Sequence, residues 1–286
     1  MAAVGKPTWN TSSFLLYAGG LTVLGAAIGA LGYLSGNYGS GALTGWALLV
    51  LVVLYLLAHR LKSQGRWIAA GVFAFTSVIA WGIFVGTAWH WFGWLDSPGK
   101  FNHFSFARLS LEFLILVSAW DDRKRFDFPF ISLITTVVGW FFVIDLITAG
   151  GTWTVVVTLF VGLVYLLVGV AGDSPSAFWF HLVGGALIGA SLLHWWHSTD
   201  TDWALISAAA LIYVWIGYAT KRSSWAVYGA FGFLGATLHY LLGQGSATGP
   251  FGISVPSISG WSPSVAFACL GFWLVLLGLR SRRHAA

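Results

Sequence analysis

The stretch that decides the fold spans residues 103–126 and reads HFSFARLSLEFLILVSAWDDRKRF. Its apolar part is long enough to cross a bilayer, yet it carries Arg108 and, four residues later, Glu112, the only glutamate of the chain. The basic run RKR at residues 123–125 follows directly. Because Lys and Arg are enriched on the cytoplasmic side of membranes, the pattern predicts a transmembrane helix whose carboxyl end is cytoplasmic.

The whole chain has the composition of that stretch. Hydrophobic residues make up 58% of it and charged residues 8%, whereas an ordinary soluble domain is about 25% charged. Apolar windows of about 20 residues, the length that crosses about 30 Å of hydrocarbon, recur with short connections. They lack the alternating pattern of a transmembrane β-barrel. The composition predicts an all-α, polytopic transmembrane helical bundle.

We expect a single transmembrane domain over residues 1–286, with ten spans and both termini cytoplasmic. The spans are predicted at about 12–34, 41–59, 67–89, 103–120, 128–149, 152–171, 177–197, 203–219, 223–242 and 262–280. Of the 14 Lys and Arg residues, this topology puts twelve on the cytoplasmic side, Lys100 on the other, and Arg108 inside a span. The asymmetry supports a multi-pass protein of a plasma (inner) membrane.

The net charge of +5 reflects orientation in the membrane, because no basic domain is left over to bind nucleic acid. The single cysteine, Cys269, excludes an internal disulfide and every cysteine-based metal framework. No catalytic residue is predicted. The lipid bilayer is the first expected partner.

Charged residues inside the predicted spans form the candidate binding site. Arg108 and Glu112 share a helical face with Ser105, and Asp145 is expected at a similar depth on the next span. A charge at the bilayer centre costs about 2.5–3.5 kcal/mol on insertion scales, so these side chains should point into the bundle. One cation facing two carboxylates leaves room for a proton, an ion or a cationic substrate. The alternative is an internal ion network that only fixes helix packing.

Histidines near the predicted outer boundary are candidates for an entrance or a metal site. Two of them, His194 and His197, precede Asp200 at i, i+3 and i+6, a spacing that suits zinc or copper if the helix continues that far. Interfacial polar residues that cap helix ends are the alternative. Haem or a metal is not favoured as cofactor, and the cofactor stays unknown. The full candidate set is His90, His103, His194, His197, His239 and Asp200.

Small residues and one long loop complete the pattern. Glycines recur on single faces at Gly25, Gly29 and Gly32, at 185–189 and at 229–235. Such faces predict close helix packing, either within the bundle or in a homo-oligomer or a complex with other membrane proteins. The uncharged outer loop 243–261 contains Phe251, Ile253 and Val255 in alternation, which suggests a short strand or flap.

The end of the chain resembles known membrane proteins in composition. The segments YVWIGYATKRSSWAVYGAFGFLGATLHYL and VAFACLGFWLVLLGLRSRRH resemble the closing helices of multi-span bacterial membrane proteins of unknown function. In size and topology the chain is similar to the drug/metabolite transporter superfamily, without that family's paired-repeat signature. The resemblance implies a transporter-like bundle.

The sequence is compatible with three functions. The first is binding or transport of a small cationic solute or protons, with Glu112 and Asp145 holding the charge and Arg108 tuning them. The second is a non-catalytic subunit or scaffold that docks partner proteins, lipid or pigment. The third is a haem- or metal-binding redox protein that uses the outer histidines.

Overall fold

The computed structural model describes residues 11–95, 104–147, 152–172, 175–242, 246–248 and 254–256. These residues form eight helices and one pair of short antiparallel strands. The chain divides into two compact units, Met1–Gly184 and Gly185–Ala286. A single transmembrane domain over residues 1–286 stays a prediction.

Five complete helices lie among the described residues of the first unit. They are α1 (Thr11–Ser63), α2 (Trp67–Trp91), α3 (Phe106–Phe126), α4 (Ile131–Ile147) and α5 (Thr152–Ala171). Helix α6 (Ala177–Trp195) crosses the division between the units. The second unit continues with α7 (Asp200–Thr220), α8 (Ser223–Leu242), β1 (Ser246–Thr248) and β2 (Ser254–Pro256).

Helix α1 is broken at Gly39, whose backbone is non-helical with φ 77° and ψ 179°. Glycine adopts this positive φ without the steric cost that a side chain would add. Trp46 Nε1 donates a hydrogen bond to the Ala27 carbonyl oxygen at 3.2 Å, although 19 residues separate them. A straight helix would place those residues about 28 Å apart. The two arms, 11–38 and 40–63, therefore fold back on each other, and they correspond to the first two predicted spans.

In the described part of the chain, five helical segments are long and apolar enough to cross a membrane, which is consistent with an integral membrane protein. They are Gly36–Ser63, Trp67–Trp91, Thr152–Ala171, Ala177–Trp195 and Asp200–Thr220. Helix α4, at 17 residues, is apolar but shorter. Ten spans, the orientation of the termini and the identity of the membrane stay predictions. The predicted span 262–280 lies outside the described residues.

Local capping explains where α3 begins and ends. The Ser105 hydroxyl accepts a hydrogen bond from the Arg108 backbone N–H at 3.3 Å, which makes Ser105 the N-cap. At the other end, Asp127 takes the left-handed conformation with φ 49°, which terminates the helix. The helix therefore runs over Phe106–Phe126, later in the chain than the predicted span 103–120.

Small side chains bring the helices of the first unit together. The core between α1, α2 and α3 is built largely from alanines, including Ala58, Ala70, Ala74 and Ala119, all at most 1% exposed. Their size lets helix backbones approach closely, which is how helices associate where lipid is as apolar as the side chains.

The predicted glycine faces differ in their packing. A Cβ added at Gly229 would lie 2.7 Å from the Ala210 carbonyl oxygen, so α8 meets α7 backbone against backbone there. A Cβ at Gly185 would lie 2.7 Å from the ring of Tyr228. By contrast, a Cβ at Gly25, Gly29 or Gly32 would meet no described atom within 4 Å.

The only strands among the described residues lie in the predicted outer loop. Ala247 of β1 pairs with Val255 of β2 in antiparallel register, so the expected short strand is confirmed at Val255. Phe251 and Ile253 lie outside the described residues. Apart from these two three-residue strands, all regular structure in the described part is helical, in agreement with the predicted all-α class.

Candidate functional site: the charged cluster of α3 and α4

An ion pair joins the start of α3 to the end of α4. Arg108 Nε lies 2.8 Å from Asp145 Oδ2. The Asp145 side chain is fully buried, whereas 20% of the Arg108 side chain is exposed. This is the contact between neighbouring helices that the sequence suggests. The role of these residues in binding a solute stays a prediction.

Glu112 brings a second carboxyl group to the same pair. It lies one helical turn after Arg108 on α3 and is partly buried, and its carboxyl is within side-chain hydrogen-bonding reach of the Asp145 carboxyl. Glu112 Oε2 and Asp145 Oδ1 are buried and accept no hydrogen bond from any described residue. Two ionised carboxylates are acceptors only, so they can bond to each other only if one carries a proton.

Ser105 caps α3, and its predicted part in binding stays a prediction. Its hydroxyl accepts a hydrogen bond from the Arg108 backbone N–H. It therefore fixes the first turn, and through it the position from which the Arg108 side chain extends. Arg108, Glu112 and Asp145 together form the charged cluster.

Tryptophan side chains tie the neighbouring helix α2 to α3. Trp89 Nε1 donates to Ser110 Oγ at 2.9 Å, and Trp81 Nε1 donates to the Leu114 carbonyl oxygen at 3.2 Å. These two bonds lie on either side of Glu112 in the sequence of α3. They fix α3 against α2 at the level of the charged cluster.

The predicted histidine stripe near the end of α6 does not form one helical face. Helix α6 ends at Trp195, and Thr199 caps the start of α7 together with Asp202 in a capping box. His197 Nδ1 instead lies 3.0 Å from the His194 carbonyl oxygen. The helix continuation that the metal interpretation of His194, His197 and Asp200 needs is therefore absent.

Asp200 is paired with a histidine of another helix. His239 Nε2 lies 3.0 Å from Asp200 Oδ1, and the His239 ring stacks on Trp203 at 4.8 Å between centroids. Tyr240 donates a hydrogen bond from its hydroxyl to the Asp200 carbonyl oxygen at 2.6 Å. These contacts join α7 to α8 within the second unit.

The structure gives no support for a metal site at the two remaining histidine candidates, His90 and His103. His90 is exposed near the end of α2, with Nδ1 3.5 Å from the Leu95 carbonyl oxygen, and His103 lies outside the described residues. In the described part of the chain, no three His, Cys, Asp or Glu side chains are grouped so that they could hold a metal ion. An entrance lined by histidines, a metal and a haem all stay untested hypotheses.

Asp122 is a buried carboxylate that is not among the site residues predicted from the sequence. Asp122 is 4% exposed and lies in α3. The spacing indicates that Asp122 is buried. Ala119, Asp122 and Phe126 follow one another at i, i+3 and i+7, which is the pattern of a buried helical face. All three are buried.

Comparison with known proteins adds no relative. No protein-family model, no curated protein and no solved structure matches this chain. The resemblances to bacterial membrane proteins of unknown function and to drug/metabolite transporters therefore stay untested.

Proposed function

We propose that this protein binds a proton, or a small cation in its place, at the charged cluster and moves it across the membrane. One observation carries the proposal: the Arg108–Asp145 ion pair has a second carboxyl group, Glu112, beside it, and each carboxyl group has a buried oxygen without a hydrogen bond from the described residues. Glu112 and Asp145 are the charge-holding groups in this proposal. Arg108 orients and tunes them.

Charge balance in a weakly polar environment supports the proposal. Arg108 neutralises one carboxylate at 2.8 Å, and a second carboxylate that is taken out of water without a partner is strongly disfavoured. A shared proton between the two carboxyls removes that cost, because like charges at hydrogen-bonding distance do not both ionise readily. A small cation at the same oxygens would do so as well.

The position of the cluster supports transport as the use of this binding. We expect α3 and α4 to cross the membrane, as the sequence predicts, and ionisable groups inside membrane helices commonly mark the paths of ions or protons. The exposed fifth of the Arg108 side chain connects the buried Asp145 carboxylate to the surface of the protein. A group that exchanges a proton needs such a connection.

The test uses purified protein reconstituted in vesicles that contain a pH-sensitive dye. We expect the wild-type protein to move protons down an imposed gradient, either alone or in exchange for an added amine, and Glu112→Gln to lose this activity. Asp127→Asn is the matched control, since it also removes one negative charge from α3 but at a side chain that is 91% exposed. Asparagine also tolerates the left-handed conformation of that residue. Unchanged transport in Glu112→Gln contradicts the proposal.

A second candidate, a subunit of a membrane complex, is favoured by the ridge of Gly25, Gly29 and Gly32. No described atom lies within 4 Å of a Cβ built at any of them, and ridges of this kind pair helices in lipid. Gly29→Leu should then weaken a homo-oligomer or complex seen by native mass spectrometry, whereas Gly45→Leu, another open position, should not. A monomeric wild-type protein without a bound partner contradicts this candidate.

A further inference from the structure

A cavity of about 290 Å³ lies between the second arm of α1, α2 and α3. This volume is near the lower end of the range of about 300–1,000 Å³ that is typical of small-molecule sites. Its lining combines aromatic rings, hydroxyls and carboxylates with apolar side chains of α1. The residues that matter chemically are Tyr55, Ser77, Trp81, Ser118, Asp121 and Asp122.

The two carboxylates of this cavity are in different situations. Asp121 is half exposed and has its own cation, since its Oδ2 lies 2.6 Å from Arg125 Nε. Asp122 is 4% exposed, and the Ser77 hydroxyl lies 3.4 Å from its Oδ2. That hydroxyl has one hydrogen and lies 2.8 Å from the Ala74 carbonyl oxygen. Among the described residues, the Asp122 carboxylate has no cation in a salt bridge with it, and the Ser77 hydroxyl near it is shared with the Ala74 carbonyl oxygen.

Tyr55 and Trp81 are the aromatic residues that line the cavity, and the indole N–H of Trp81 already donates a hydrogen bond. Trp81 donates its only N–H to the Leu114 carbonyl oxygen at 3.2 Å, which also holds its indole in place. The Tyr55 hydroxyl accepts from Arg125 Nη1 at 3.4 Å, and the Tyr55 ring packs against His59 with 4.5 Å between centroids. Two fixed rings beside an uncompensated carboxylate suit an organic cation.

We propose that this cavity binds a small organic ammonium ion. Asp122 supplies the counter-charge, and Trp81 and Tyr55 supply cation–π contacts. The mainly apolar lining favours an alkylated ammonium over a hard metal ion, which prefers six or more oxygen ligands. The site is separate from the charged cluster, because Asp122 lies 10 residues after Glu112, about 15 Å along α3.

The test measures equilibrium binding to purified full-length protein in detergent. The probes are tetramethylammonium and n-butylammonium chloride, with tert-butanol as an uncharged compound of similar shape, and the readouts are tryptophan fluorescence and the shift in Tm. We expect saturable binding of at least one ammonium probe and none of tert-butanol. Asp122→Asn should weaken this binding about tenfold or more, because it removes the charged partner.

One control keeps the buried carboxylate. Asp127→Asn changes an exposed side chain at the C-cap of the same helix. This variant should bind the ammonium probe with wild-type affinity.

A second variant covers the case in which Asp122→Asn does not fold. Ser118→Leu keeps the carboxylate but fills the cavity, so it should also lose ammonium binding while its Tm without ligand stays measurable. Equal binding of tert-butanol and tetramethylammonium overturns the proposal. So does wild-type affinity in a folded Asp122→Asn or Ser118→Leu protein.

Discussion

Removal of the guanidinium from the charged cluster tests the electrostatic reasoning most sharply. In Arg108→Met, Asp145 loses the cation 2.8 Å away and keeps a side chain with no exposed surface. Removal of one partner from a buried ion pair costs about 3–5 kcal/mol in folding free energy. Glu112 and Asp145 share one proton in this proposal, so the variant leaves one net negative charge without its cation, and we expect a loss within that range.

The reciprocal change should cost less. In Asp145→Leu, Arg108 keeps Glu112 nearby and keeps the exposed fifth of its own side chain, so the guanidinium can still reach a partner or water. The double variant Arg108→Met with Asp145→Leu replaces the pair by apolar side chains, which is often close to neutral. We therefore expect the losses in folding free energy of the two single variants to add up to more than the loss in the double variant.

The assay is reversible unfolding in mixed micelles that are titrated with a denaturing detergent and followed by circular dichroism. A double-mutant cycle from the four proteins gives the coupling free energy between the two residues. Additive losses, or a loss below about 1 kcal/mol in Arg108→Met, would refute the description of Asp145 as a buried carboxylate that depends on Arg108.

Two further predictions concern glycines and use the same unfolding assay. Gly39→Ala should cost about 1–2 kcal/mol, because the residue has φ 77° and a side chain strains that conformation, whereas Gly45→Ala in the helical arm should be neutral or stabilising. Equal effects would contradict the turn at Gly39. Gly229→Ala should cost about 1–3 kcal/mol, because its Cβ would lie 2.7 Å from the backbone oxygen of Ala210. Gly25→Ala, with nothing within 4 Å, should lose no stability, and a loss there as large as at Gly229 would mean that the packing contrast is wrong.

The helices were largely predictable because long apolar runs leave few alternatives to a helix in a membrane. The error at the end of α3 has a physical reason. Hydropathy falls at Trp120, but Arg and Lys are good helix formers, so the helix continues through the charged run to Phe126. That continuation is what buries Asp122.

The pairing of Arg108 with Asp145 could be anticipated because both lie at matching ends of two consecutive helices. The contact between Asp200 and His239 could not, since 39 residues separate them and no local pattern encodes which helices meet. The end of α6 before His197 could have been predicted from the sequence. Thr199 and Asp202 have the spacing of a capping box, which starts a new helix where the metal interpretation needs the previous one to continue.

We propose that the charged cluster holds a proton or a small cation in addition to the positive charge of Arg108. Infrared difference spectroscopy of the purified protein at neutral pH, in a buffer whose only cation is the bulky Tris ion, detects a protonated carboxyl group directly. The account predicts a carboxylic-acid band in wild type and in Asp127→Asn that disappears in Glu112→Gln. A wild-type spectrum without that band, or an unchanged band in Glu112→Gln, would contradict it.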